Sequence, residues 1–217
     1  MGPSSHEGPT ALVPVARSSY GPSAEPERFV LGRMDHHGGM PENPFAVAPT
    51  VVRLPRYTKA EQDEILGDGD DPFGVAETGL IWLPKEEHFG IRHGERLVAH
   101  AGLLRLRVAI GDAETAVVGV GGVAVAPDMQ GRGLARLVVA AALDHARTLG
   151  PEHALLFCRP PLVALYQRLG WHPLDQDVRV EQPEARVVTM PLRTMVTPLR
   201  DDAHWPASPV RLLSLPM

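Results

Sequence analysis

The chain has 217 residues, room for one domain of ordinary size with or without a tail. Lys and Arg number 21 against 26 Asp and Glu, a formal charge of -5 that offers no basic field to a phosphate backbone and argues against nucleic acid as a partner. One cysteine allows no internal disulfide, and no stretch nears the ~18 apolar residues of a membrane helix, so the expected setting is reducing, soluble and cytoplasmic, away from a membrane. Gly (21) and Pro (22) are abundant while hydrophobic content is an ordinary 44%, so the excess should be confined to particular segments. Residues 1–46 are the first of these. They are crowded with Pro, Gly and Ser, lack a hydrophobic period and a signal-peptide pattern, and read as a disordered tail ahead of one domain at residues 47–217. Met34 and Met40 offer later starts than Met1. His36 and His37 invite a metal reading, but a His pair in a polar tail without a Cys or further ligand nearby reads as solvated, and no metal is expected.

Residues 50–54 predict a short strand, and Thr58 opens a helix through Leu66, with Glu61 three residues on completing a capping box and Gly67 ending the run. The acidic loop holding Asp68, Asp70 and Asp71 begins like a calcium loop but lacks its central Gly and closing Glu. Two strands at residues 88–91 and 95–108 flank a turn at Arg92-His93-Gly94, and a turn at Gly111-Asp112 leads to an apolar run at 117–126, a buried central strand. Leu134, Leu137, Val138, Ala141 and Ala142 recur at helical spacing up to Leu149-Gly150-Pro151, and residues 154–158 form a short apolar strand. Together these make a βαβ unit with parallel strands. A second helix follows, with Pro160 and Pro161 in its first turn, Leu162, Leu165, Tyr166 and Leu169 as its stripe, and Gly170 as its end. Residues 178–180 and 186–190 predict terminal antiparallel strands.

The site signal lies between the central strand and the helix after it. Val123-Ala124-Val125-Ala126 runs into Pro127-Asp128-Met129-Gln130-Gly131-Arg132-Gly133-Leu134-Ala135, a glycine-punctuated loop entering a helix N-terminus, whose unpaired amides and dipole favour an anion such as phosphate. Gly131 and Gly133 let the backbone close on a pyrophosphate, and Arg132 adds a cation at the rim. No Lys-Ser or Lys-Thr follows the glycines, and Gly119-Val120-Gly121-Gly122 lies inside the strand, which disfavours a P-loop and a dinucleotide fingerprint.

Gln130, Gly133 and Ala135 resemble the Gln/Arg-x-x-Gly-x-Gly/Ala loop of the GNAT superfamily of acyl-CoA-dependent N-acyltransferases, and Tyr166 through Gly170-Trp171 resembles its second landmark. Leu97 through Leu104, the loop and Trp205-Pro206 are loosely similar to the aminoglycoside 2′-N-acetyltransferases and the nodulation-factor N-acyltransferases, over roughly residues 50–217. The resemblance implies an α/β (α+β) GNAT fold, a central mixed twisted sheet with helices on both faces and a βαβ acyl-CoA-binding core. It implies an acetyl-CoA-dependent N-acetyltransferase, with acetyl-CoA as co-substrate and the primary amine of a small molecule, an amino sugar among the candidates, as acceptor. The pyrophosphate would lie on Gln130, Gly131, Arg132, Gly133, Leu134 and Ala135, and the pantetheine beside Val123, Ala124 and Val125, paired as an added strand would be. A backbone N–H near Val123 would meet the thioester oxyanion, and Tyr166 would protonate the departing sulfur. Tyr166 also fits plain packing on its helix stripe.

The reaction also needs a proton acceptor. A free alkylamine of pKa ~10.4 needs about 4 to 5 kcal/mol to reach its neutral form at pH 7. The glutamate that the aminoglycoside enzymes carry on the central strand is replaced here by Gly121. His100 is the first substitute, with a satisfied core histidine as its other reading, and Glu87, His88, the acidic loop or a terminal carboxylate at Met217 stand behind it. Asp68, Asp70, Asp71 and Trp82 are candidates for the acceptor side, and Cys158 for a buried structural thiol. A protein lysine or N-terminus as acceptor, a non-catalytic acyl-CoA-binding module, and a homodimer stay open.

Overall fold

The computed structural model describes residues 48–69, 71 and 73–217. The expectations for the N-terminal tail, for Met34 and Met40 and for His36 and His37 lie outside the described residues, as does Asp70. Strand β1 (Val51–Leu54) precedes helix α1 (Lys59–Leu66). The capping box is formed: the Glu61 amide donates to Thr58 Oγ1 at 3.2 Å and the Thr58 amide donates to the Glu61 carboxylate at 3.0 Å.

Strands β2 (Glu87–His93), β3 (Arg96–Ile110) and β4 (Ala113–Val125) form an antiparallel meander. The first turn is tighter than its sequence suggests. Gly94, at φ 63°, lets two residues close the hairpin, so Arg92 and His93 stay in the strand. Strand β4 also starts earlier than its apolar run, because the exposed Ala113 and Glu114 pair with Ile110 and Ala109 at the end of β3.

Helix α2 (Leu134–Ala146) ends in a single 3-10 turn, with Gly150 beyond it at φ 99°. Strand β5 (His153–Cys158) is parallel to β4, as the βαβ reading expects. Helix α3 is shorter than expected. Pro160 to Leu162 make a separate 3-10 turn, α3 covers Val163–Arg168, and Leu162 is 39% exposed rather than part of a buried stripe. Strand β6 (His172–Pro173) leads to β7 (Val178–Gln182) and β8 (Arg186–Thr189), which pair antiparallel but are not terminal. They are followed by β9 (Arg193–Pro198) against β5 and by β10 (Val210–Leu212) between β3 and β7. Strand β9 is inconspicuous as sequence because two of its buried positions are Thr194 and Thr197, whose branched side chains suit a strand while reading as polar.

The order is β6-β9-β5-β4-β3-β10-β7-β8, with β2 and β1 continuing from β3. One edge of the long β3 thus serves two partners, β2 along its first half and β10 along its last residues. Side-chain alternation divides the interior into two cores. Val118 and Leu156 join the core that holds the buried residues of α1, α2 and α3, while Val117 and Leu155 join a second core with Val180, Leu212 and Met217.

Candidate active site

The register of β3 and β4 slips between the pairs His100–Ala124 and Gly102–Gly121, so Gly122 and Val123 bulge opposite Ala101. Gly122 sits at φ 61°, which a side chain would strain. On the other edge, β4 pairs with β5 at Val118 and Gly119 alone. Beyond those two residues the parallel strands part, and positions 121–125 of β4 have no partner on that side among the described residues. A cavity of about 380 Å³ opens there, in the size range of ligand pockets. Val123, Ala124, Val125 and Gln130 line one wall, and Cys158 and Tyr166 line the other.

At the end of the open edge the chain makes a single turn through Pro127 to Met129. Arg96 clamps this turn, donating to both oxygens of Asp128 at 2.8 and 3.0 Å. Gln130 Nε2 donates to the Val125 carbonyl at 3.3 Å, tying the loop to the strand end. Gly131 and Gly133 take φ 76° and 77°, and nothing lies within 4 Å of where a Cβ would be on either. Helix α2 therefore begins on Gly133 with no side-chain cap, leaving its first amides without intrahelical partners. Arg132 is exposed beside them, while the Leu134 side chain is buried, so Leu134 can contribute only its backbone.

Tyr166 packs edge-on against Trp171, ring centroids 6.3 Å apart, and burial holds its hydroxyl well above the ordinary phenol range. It keeps its proton at any working pH. Cys158 is buried with Sγ 3.7 Å from Met195 Sδ, and burial pushes its thiol up to about 11, which leaves no thiolate for covalent catalysis.

His100 is placed differently from its expected role. It is 1% exposed, absent from the cavity wall, and stacked on Tyr57 at 3.7 Å between centroids. Its Nδ1 is 2.7 Å from the Gly122 carbonyl, which can only accept, so Nδ1 carries the proton. The remaining acceptor, Nε2, lies 3.1 Å from His88 Nδ1, and burial lowers the ring to about 4. With both nitrogens engaged and no face on the cavity, His100 braces the bulge instead of meeting the acceptor amine.

The acidic loop also differs. The Asp71 carboxylate accepts from the amides of Ala76 and Val75 at 2.8 Å each, bonds that hold it below the usual carboxylate range, and neither Asp68 nor Asp71 lines the cavity. Trp82 does line it, edge-on to Phe157 at 6.4 Å.

Among the lining residues that the sequence reading did not single out is Lys85. Lys85 follows Leu83, whose amide donates to the Pro216 carbonyl at 2.6 Å, and precedes Glu86, whose amide donates to the Leu103 carbonyl at 2.8 Å. Strapped at both ends, the segment lays the Lys85 side chain across Gly102 and Gly121, so a Cβ on either would come within 2.6 Å of it. Burial lowers its ammonium to about 8. In Pro84-Lys85-Glu86-Glu87 it reads as one charge in a solvated turn, and only the two facing glycines hinted at a close approach.

Residues 74–174 match the family model of the acetyltransferase (GNAT) domain. Over 127 residues the chain is 31% identical to nodulation protein A of Mesorhizobium japonicum, a match covering 53% of this chain and 63% of that protein. Over 63 residues it is 36% identical to mycothiol acetyltransferase of Saccharomonospora viridis, covering 28% and 21%. The chain therefore spans less than two thirds of the curated relatives it matches. The GNAT family N-acetyltransferase YhbS of Escherichia coli, solved in complex with CoA, superposes with a TM-score of 0.52 at 18% identity, over 77% of this chain and 94% of that one, a likeness of fold. Among the described residues no helix is long and apolar enough to cross a membrane. The stretch that is similar to the GNAT acetyltransferase domain thus runs from the segment before β2 to β6 and includes β4, α2 and Tyr166.

Proposed function

We propose that the protein transfers an acetyl group from acetyl-CoA to the primary amine of a small molecule. The observation that carries this is the unpartnered edge of β4 at positions 121–125, leading to the uncapped start of α2 with Tyr166 across the cavity. The residues fit the co-substrate: the exposed edge offers N–H and C=O groups to an extended chain, and the amides at 133–135, with Gln130, Gly131 and Arg132 beside them, offer donors to a pyrophosphate. Acetyl-CoA supplies an acyl group already activated as a thioester. In this reading the Val123 amide, in the bulge opposite Ala101, donates to the oxyanion that develops when the amine attacks. Tyr166 holds the proton that neutralises the departing sulfur. Trp82 forms part of the acceptor wall. A soluble reducing compartment such as the cytoplasm suits the free thiol of Cys158.

Calorimetric titration with acetyl-CoA, followed by thiol release against a panel of amines, tests this reading. Binding with amine-dependent thiol release is expected. Among the described residues no acidic side chain lines the cavity, which is the observation favouring a non-catalytic acyl-CoA-binding module. Binding without release across small amines and peptide amines alike would select that module, and no binding would remove both readings.

A further inference from the structure

The cavity holds a cation with no ion-pair partner among the described residues. Its charged lining side chains are Lys85 and Arg159. Arg159 lies close enough to Asp71 to help hold that carboxylate low, whereas among the described residues no carboxylate acts on Lys85. Its ammonium has three donors, and its one hydrogen bond among the described residues, to the Leu83 carbonyl, is at the long limit of 3.4 Å. Other titratable groups around it are His88 and His100, both of which its charge depresses. A buried cation without a partner is costly, and proteins keep one chiefly where something completes it.

The placement is built into the strands. Gly102 and Gly121 are directly opposite each other on β3 and β4, and together they form a trough that holds the Lys85 stem, Cβ and Cγ over Gly102 and Cε over Gly121. Gly121 lies four residues before Val125, about 13 Å along an extended strand, so Lys85 is far from the α2 amides proposed for the pyrophosphate. The anion it awaits is therefore a different one.

We propose that Lys85 is an anion anchor that binds a carboxylate carried into the cavity by a substrate. Two ammonium donors are left after the bond to Leu83, matching the two oxygens of a carboxylate. The carboxylate comes either on the acceptor, making it an amino-acid-like amine, or on the far end of a dicarboxylic acyl group. This rests on the acetyltransferase reading and narrows its substrate class.

The test is calorimetry on wild type, Lys85→Met and Lys85→Arg with two sets of matched probes. The first set, in the presence of CoA, is a series of ω-acetamido carboxylates of two to five carbons against neutral N-alkylacetamides of equal length. The second is succinyl-CoA against butyryl-CoA. Wild type is expected to bind the carboxylate member of one set roughly tenfold or more tightly than its neutral twin. Lys85→Met should erase that preference, Lys85→Arg should keep it, and acetyl-CoA affinity should be the same in all three. Preference in the first set places the carboxylate on the acceptor, and preference in the second places it on the acyl group. No preference in either set, or a preference that survives Lys85→Met, overturns the anchor while leaving the acetyltransferase reading intact. Absence of CoA binding by wild type would overturn both.

Discussion

Gly102 and Gly121 face each other across β3 and β4, and the aliphatic stem of Lys85 occupies the space that two side chains would otherwise fill. The pair sits immediately before the bulge at Gly122, so the irregularity that opens the strand and the gap that admits the lysine adjoin each other. A cation thus approaches the Gly121 position from a different segment of the chain.

Adding one methyl group in this trough should be felt. A Cβ at residue 121 would be 2.6 Å from Lys85 Cε, so Gly121→Ala is expected to destabilise the fold by about 1–3 kcal/mol, the usual cost of overpacking. Lys85→Ala with Gly121→Ala should recover much of that loss, a coupling of ~0.5–3 kcal/mol in a double-mutant cycle followed by urea denaturation. Additive effects would show that the stem does not lie in the trough.

Lys85 should also make the ligand-free protein less stable near neutrality than above it. Its folded value of about 8 is below the 10.5 of an unperturbed lysine, so below pH 8 both states are protonated and the fold bears the full cost of a buried charge. Between pH 8 and 10.5 the unfolded chain binds the extra proton, and stability rises with pH. Lys85→Met is expected to gain about 2–3 kcal/mol at pH 7, seen as several degrees in Tm, with the gain shrinking toward pH 10.5. Equal melting curves at pH 7 would contradict this.

The His100 network predicts sensitivity to acid. The folded value of about 4 lies below the 6.5 of a free imidazole, so between these limits the unfolded state takes up the proton and stability falls as pH falls. His88, lowered in the same direction, adds to the slope, while the Glu61 charge partly opposes it in both rings. In His100→Asn the loss of stability between pH 6.5 and 4 should be shallower than in wild type, as measured by chemical denaturation at each pH. An unchanged slope would show that the ring is not buried neutral.

Tyr166→Phe removes the proposed proton donor while keeping the packing against Trp171. A fall in kcat of roughly tenfold to a hundredfold, with acetyl-CoA affinity unchanged, is expected from general acid catalysis of this kind. Unchanged turnover in steady-state thiol release would remove Tyr166 from the chemistry.

Much of this was legible along the chain because it depends on neighbours in sequence. The Thr58–Glu61 capping box, the Gly94 and Gly111 turns and the strand–loop–helix passage through Gly131 and Gly133 are local, and each is formed. The loop proposed for the pyrophosphate was likewise visible as a glycine pattern at a helix start. Strand β9 was harder, since Thr194 and Thr197 hide a buried strand behind polar side chains, and β10 is three residues long. His100 could be identified as an unusual residue on an apolar strand, yet its role depends on Tyr57, His88 and Gly122, which are brought to it from three other segments.

The sequence by itself determined the βαβ core, the glycine loop that opens α2 and the absence of a carboxylate at Gly121, because hydrophobic period, glycine placement and residue identity are properties of short stretches. Tertiary structure alone decided which group fills that absence. Lys85 is 36 residues from Gly121 in the chain, a separation that carries no local pattern, and it reaches the cavity because β2 and β3 pair, β3 and β4 pair, and the segment before β2 is strapped to Leu103 and Pro216.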